Sequence, residues 1–165
     1  MPKIAIHRLI GLAAGLSIMG ATISPAVAVA RPKPSLTASP VLNLAPTGAT
    51  IRVLGKGYDP TVGIYVALCV TPAKGQQPSP CGGGVNTSGS SPASVWISSN
   101  PPPYGRTLAI PYRPGGRFDV SISVSAQIGS IDCRLVSCSI VTRADHTRSG
   151  DRRFDAGIPV TFSAS

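Results

Sequence analysis

Glutamate is absent from this chain, and histidine occurs only twice in 165 residues. The six acidic residues are all aspartates, set against 15 lysines and arginines. This composition leaves few groups for paired-carboxylate or histidine-dependent catalysis, or for a metal site. The sequence also lacks a Gly-x-Ser-x-Gly elbow, a His-x-x-x-His pair and a phosphate-binding glycine loop before a helix. We therefore predict no enzyme, no catalytic residue, no metal and no cofactor.

One segment holds the groups from which a catalytic site would have to be built, namely Asp145, His146, Ser149 and Asp151. Residues adjacent in one loop rarely adopt the geometry of nucleophile, base and orienting group. The surrounding run from Arg143 to Asp155 alternates positive and negative side chains, which predicts a connecting loop with internal ion pairs. A second interpretation is that its arginines bind phosphate or carboxylate groups.

The first 30 residues have the pattern of a signal peptide. Two basic residues precede an apolar run from Leu9 to Ile23, and small residues beyond Pro25 allow cleavage after Ala28 or Ala30. The run is shorter than the roughly 20 residues that span a bilayer, so no transmembrane segment is predicted after cleavage. We predict a signal peptide at 1–30, a linker at 31–35 and one domain at 36–165. The protein is then secreted or, alternatively, retained at the cell envelope.

The net charge of the predicted mature chain is positive. Without Lys3 and Arg8, it keeps 13 of the 15 basic residues against six aspartates, a net charge of +7. These basic residues are scattered, which is not typical of a nucleic-acid-binding surface. The charge either keeps the domain soluble or favours contact with anionic polymers of the envelope.

The four cysteines all follow the predicted cleavage site, at positions 69, 81, 133 and 138. An even number of cysteines in an exported chain predicts two disulfides, for which three connectivities are possible. Proximity along the chain favours Cys69–Cys81 and Cys133–Cys138. Their spacing is not that of paired zinc knuckles.

The predicted mature sequence consists of short strands separated by turns rich in glycine and proline, without a helical period. The alternation is clearest from Arg117 to Gln127, where every second residue is apolar. The segments Ala49–Gly57, Gly63–Thr71 and Ile158–Phe162 show further strands. Several short strands with such turns predict an all-β antiparallel sandwich.

A long insert at about 82–116 is rich in proline, glycine and serine, yet it carries the aromatic residues Trp96, Tyr104 and Tyr112. Disordered segments rarely carry such residues, so we expect ordered loops here. Tyr65 lies on the same face of its strand as Cys69, opposite the predicted core. If the loop after Cys69 folds over that face, these aromatic side chains line a cleft for an apolar or aromatic small molecule. The alternative is that Trp96 anchors the insert as a small satellite core.

Three further segments match the pattern of one known family. They are VLGKGYDPTVGIY at 53–65, GSIDCRLVSC at 129–138 and GIPVTF at 157–162. Through them, residues from about Leu36 to Phe162 resemble the neocarzinostatin family. The resemblance implies an immunoglobulin-like, seven-stranded antiparallel β-sandwich with two short-range disulfides, and it implies the same two cysteine pairs that proximity favours.

Family members of known function bind an enediyne chromophore in a cleft floored by the first disulfide, and the chromophore cleaves DNA. For this chain, the resemblance implies that the cleft includes Cys69, Cys81, Ser139, Val141 and Arg143. It implies no contact with nucleic acid except through a chromophore. This chain has Val70 and Thr71 where the family carries an aromatic residue after the first cysteine.

The sequence thus predicts a secreted, non-enzymatic protein that holds a hydrophobic small molecule beside the Cys69–Cys81 loop. One alternative is an envelope-associated interaction domain that docks on a protein or a glycan. Another is an enediyne antibiotic apoprotein whose action on DNA is carried by its chromophore.

Overall fold

The computed structural model describes residues 33–84 and 92–165. The predicted signal peptide at 1–30, the start of the predicted linker and the segment 85–91 of the predicted insert lie outside these residues. In the described part of the chain, no helix is long and apolar enough to cross a membrane.

Most of the strands belong to two antiparallel sheets. The first contains, in spatial order, β1 (Ser35–Ser39), β2 (Ala49–Lys56) and β5 (Phe118–Val124). The second contains, in spatial order, β4 (Ser94–Ile97), β3 (Ile64–Val70), β8 (Cys138–Ala144) and β9 (Ala156–Val160). A separate hairpin is formed by β6 (Gln127–Ile128) and β7 (Ile131–Asp132). Short 3-10 turns cover Pro103–Gly105 and Arg152–Phe154.

The order of these strands is that of an immunoglobulin-like sandwich. One sheet joins the first, second and fifth strands, and the other places β3, β8 and β9 side by side. These sets correspond to the A-B-E and C-F-G strands of immunoglobulin domains, with β4 added beside β3. The prediction of a seven-stranded, all-β, antiparallel sandwich is therefore confirmed.

The main core lies between the two sheets, and alternation along the strands fills it. In β5 the residues that face it are Phe118, Val120, Ile122 and Val124, as the period of two predicted. From β3 the same core receives Ile64, Val66 and Leu68, each no more than 2% exposed. Burying each of these side chains stabilises the fold by roughly 2 kcal/mol.

Strand β3 is buried on both faces, which is unusual for a strand of a two-layer sandwich. Its outer side chains Ala67 and Cys69 form a second small apolar cluster with Val141, and Cys81 packs against it. The loop that ends at Cys81 covers one end of this outer face, and the segments that carry Tyr104 and His146 cover the other end.

Both predicted disulfides are present. Cys69–Cys81 ties the end of β3 to the loop that follows it, with a sequence separation of 12. Cys133–Cys138 closes a five-residue separation immediately before β8. No cysteine in the described residues is free.

Candidate functional site

An open cleft of about 270 Å³ lies on the outer face of the second sheet, where β8 and β9 run side by side. Its floor is formed by outward-facing residues of these strands, and one wall is the loop that starts at Thr71. The lining comprises Thr71, Pro72, Pro78, Ser139, Val141, Asp155, Ala156, Gly157 and Pro159. Because most of this lining is apolar and only three side chains are polar, the cleft suits a small, mainly apolar molecule.

Gly157 keeps the floor of the cleft open. It pairs with Val141 across β8 and β9, so a side chain at this position would point outward beside Ser139 and Val141. A Cβ atom placed there would lie 3.8 Å from Ser139 Cβ and 3.8 Å from Val141 Cγ1. Both distances are ordinary van der Waals contacts, so a larger residue would fit here without a clash at its Cβ. Its side chain would then fill the space that Gly157 leaves open.

The loop wall is held in place at several points. The backbone N–H of Val70 donates to Pro80 O at 3.0 Å, and that of Thr71 donates to Ser137 O at 2.9 Å. Arg143 reaches from β8 and donates from Nη1 to Pro78 O at 3.0 Å. Together with the Cys69–Cys81 bond, these contacts fix the wall before any ligand arrives.

Polar groups stand at two places in the lining. The hydroxyl groups of Thr71 and Ser139 lie 2.8 Å apart and share a hydrogen bond. The second place is Asp155, whose Oδ2 accepts from Arg152 Nη1 at 2.9 Å. Burial raises the pKa of the Asp155 carboxyl above its ordinary value, although Arg152 and Arg143 act in the opposite direction.

The other end of the same sheet face carries an aromatic cluster, which we define as Tyr65, Trp96, Tyr104 and His146. The hydroxyl of Tyr65 forms a hydrogen bond with His146 Nδ1 at 2.5 Å, and the hydroxyl of Tyr104 forms one with His146 Nε2 at 2.5 Å. The Trp96 and His146 ring centroids are 5.2 Å apart in an edge arrangement. Burial, with the Asp145 charge, raises the pKa of Tyr65 to about 12, so its hydroxyl stays protonated at neutral pH.

Asp145 lies beneath this cluster with 2% of its surface exposed. Its Oδ2 accepts from the indole Nε1 of Trp96 at 2.9 Å, and its Oδ1 accepts from the backbone N–H and the hydroxyl of Thr147. Gly63 makes room for it, because a Cβ atom there would come within 1.9 Å of Asp145 Oδ2. The carboxylate therefore serves as a structural acceptor.

The segment considered above for catalysis is engaged in other contacts. Both ring nitrogens of His146 bond tyrosine hydroxyls, and the Asp145 carboxylate bonds Trp96 and Thr147. Asp151 pairs with Arg153 at 2.7 Å, which follows the charge alternation in the sequence. These contacts do not form the chain of nucleophile, base and orienting group that acyl transfer needs.

The residues that we predicted to line one cleft occupy three places. Ser139 and Val141 line the cleft, Arg143 braces its wall, and Cys69 and Cys81 lie behind that wall with Val141. Tyr65, Trp96 and Tyr104 belong to the aromatic cluster instead. Tyr112 packs against the main core beside Tyr58 and Phe118, and its hydroxyl donates to Val62 O at 3.1 Å.

Several lining residues were not singled out from the sequence. Gly157 and Pro159 alternate with the core residues Ile158 and Val160, so the period of two already placed them on the outer face. Asp155 and Pro78 come from irregular segments, for which the sequence offered no comparable signal. Among the described residues, no group of three or more histidine, cysteine or aspartate side chains is arranged to hold a metal ion.

Comparisons with known proteins add little to this description. No family model matches the chain, and no curated protein matches it. One similar solved structure is macromomycin, with 20% identity over 79% of this chain and 99% of that chain, and a TM-score of 0.49. Macromomycin is an apoprotein of the neocarzinostatin family, which the sequence also resembles. The assignment of the fold rests on the two sheets, their shared core and the two disulfides.

Proposed function

We propose that this protein is a secreted, non-enzymatic binding protein that holds a small, mainly apolar molecule in the cleft between β8, β9 and the Cys69–Cys81 loop. The observation that carries the proposal is the cleft itself. It has a preformed wall, a floor left open by Gly157, and few polar groups in an otherwise apolar lining. Preformed apolar pockets with a few directed polar groups are the usual form of small-molecule sites.

Secretion is supported by the N-terminal pattern of residues 1–30 and by the two disulfides, which persist in oxidising compartments. A binding role is favoured over catalysis because the histidine and aspartate nearest the sheet face are occupied in structural hydrogen bonds. The volume of about 270 Å³ favours a ligand of one or two rings.

The proposal is tested by titrating the protein with N-phenyl-1-naphthylamine, a neutral probe whose fluorescence rises in apolar sites. Gly157→Leu fills the floor of the cleft, and Gly48→Leu adds the same side chain where nothing lies within 4 Å of the added Cβ. We expect saturable binding to the wild type and to Gly48→Leu, and a loss of at least about tenfold in Gly157→Leu. Equal binding by all three proteins would place the probe elsewhere and contradict the proposal.

Native mass spectrometry of the wild type, after incubation with lipid and aromatic metabolite extracts, then identifies natural ligands. A mass retained by the wild type and Gly48→Leu but not by Gly157→Leu is the expected result.

A further inference from the structure

The carboxylate of Asp155 has one oxygen without a partner. Oδ2 bonds Arg152, whereas Oδ1 is shielded from solvent and accepts no hydrogen bond in the part of the chain that the structure describes. An acceptor that is removed from water and left unbonded costs free energy, and native proteins rarely leave one without a reason. Because Asp155 also lines the cleft, a donor on a bound molecule is well placed to satisfy it.

We propose, resting on the small-molecule function argued above, that the ligand carries a neutral hydrogen-bond donor, a hydroxyl or an N–H, which bonds Asp155. Rotation of a carboxylate about its last bond is broad and roughly two-fold, so on this proposal Oδ1 turns towards the bound donor at low energetic cost. Binding then supplies the hydrogen bond that the free protein lacks.

The surroundings of Asp155 favour a neutral donor over a cation. Arg152 already pairs with the carboxylate, and Arg143 and the more weakly acting Asp151 bring further charges of opposite sign. An ammonium group would therefore gain little net attraction here, whereas a hydroxyl or amide N–H needs none.

The second polar position, formed by the hydroxyl groups of Thr71 and Ser139, favours a hydrogen-bond acceptor on the ligand. Thr71 and Ser139 bond each other, so one hydroxyl donates to the other and the accepting hydroxyl keeps its own hydrogen free. That hydrogen has a natural partner in a carbonyl or ether oxygen of the ligand. Between the two polar places lie Val141, Pro78 and Pro159, which suit an aromatic ring. The geometry therefore points to small aryl compounds with a donor at one end and an acceptor at the other.

The test compares 4-hydroxyacetophenone with 4-methoxyacetophenone, which share the ring and the carbonyl and differ in the donor. Titrations of ¹⁵N-labelled protein are followed through the amide signals of Val141 and Gly157. We expect the hydroxy compound to bind about tenfold more tightly, the usual effect of one hydrogen bond to a charged group. In Asp155→Asn the preference should fall below about threefold, and in Arg152→Gln, which keeps the carboxylate, it should persist.

The outcomes separate this inference from the function on which it rests. Equal affinity of both compounds for the wild type, with shifts at Val141 and Gly157, would overturn the donor inference and leave the binding cleft intact. A preference that survives in Asp155→Asn would overturn the role of Asp155. If neither compound shifts these signals while N-phenyl-1-naphthylamine still binds, the inference about the ligand is overturned and the cleft keeps its binding role; if the naphthylamine does not bind either, the proposed function itself is contradicted. Asp155→Ser repeats the measurement should Asp155→Asn fail to fold.

Discussion

Trp96 donates its indole N–H to Oδ2 of Asp145 at 2.9 Å, across 49 positions of the sequence. The tryptophan comes from β4 and the aspartate from the residue after β8, so the bond ties the two segments together over Tyr65 of the strand between them. Both partners are only 2% exposed. The bond is therefore shielded from water, and the indole N–H depends on Asp145 as its acceptor.

Replacing Asp145 should destabilise the domain strongly. Asp145→Ala removes the acceptor for three donors and leaves a buried indole N–H without a partner. We expect a loss of about 3 kcal/mol in the free energy of unfolding, and a red shift of the emission of Trp96, the only tryptophan. Urea denaturation followed by this fluorescence measures both. Asp119→Ala, which breaks only an exposed pair with Arg52, is the control and should cost much less; similar losses in the two variants would contradict the prediction.

A methyl group at Gly105 should disturb the same tryptophan. A Cβ atom there would lie 2.4 Å from Trp96 Cζ3, so either the ring or the loop must move. Overpacking of this kind costs about 2 kcal/mol. Gly48→Ala adds the same methyl in open space and should change the free energy of unfolding by less than about 0.5 kcal/mol. Near-ultraviolet circular dichroism and thermal unfolding of the two variants provide the measurement, and equal midpoints would show that the close packing is absent in solution.

The architecture was predictable because its signals are local. A period of two from Arg117 to Gln127 identifies β5 and its buried face, and the short spacing of Cys133 and Cys138 identifies their bond. The site was less predictable because its contacts are distant in sequence. Nothing local indicates that His146 meets Tyr65 and Tyr104. The period of its strand placed Tyr65 on the correct outer face, but only the structure shows that Tyr65 clusters with Trp96 and Tyr104 away from the cleft, and that Tyr112 packs against the main core instead.

The two disulfides should differ in how much they stabilise the fold. Cys69–Cys81 closes the longer loop, with a sequence separation of 12 against 5 for Cys133–Cys138. In the chain-entropy model, they contribute about 3 and about 2 kcal/mol respectively. Double serine variants of each pair, compared by urea denaturation, should therefore rank in this order. The Cys69→Ser/Cys81→Ser variant should also lose affinity for N-phenyl-1-naphthylamine, because the cleft wall is then held by hydrogen bonds alone. Unchanged affinity in that variant would show that the wall does not depend on the disulfide.

Stability should fall as the solution is acidified, and two aspartates account for part of the loss. Hydrogen bonds from Arg134 lower the pKa of Asp132 from 3.8 to about 2, and those from Arg153 lower the pKa of Asp151 from 3.8 to about 2. A folded-state pKa below the unfolded value means that the folded state binds the proton less readily. The stabilisation that each ionised aspartate provides is therefore complete above about pH 4 and is lost as the pH falls towards 2.

The Asp132→Asn/Asp151→Asn variant should accordingly lose less stability between pH 4 and pH 2 than the wild type, because neither amide titrates. The measurement is the urea midpoint from Trp96 fluorescence at several pH values. Arg134→Gln/Arg153→Gln provides an independent check, since without the guanidinium groups both carboxyl pKa values return towards 3.8 and the acid-dependent loss becomes similarly shallow. Both pairs are exposed, so their effect should shrink in high salt. If the urea midpoint of both variants falls with acidification as steeply as that of the wild type, other groups account for the acid sensitivity.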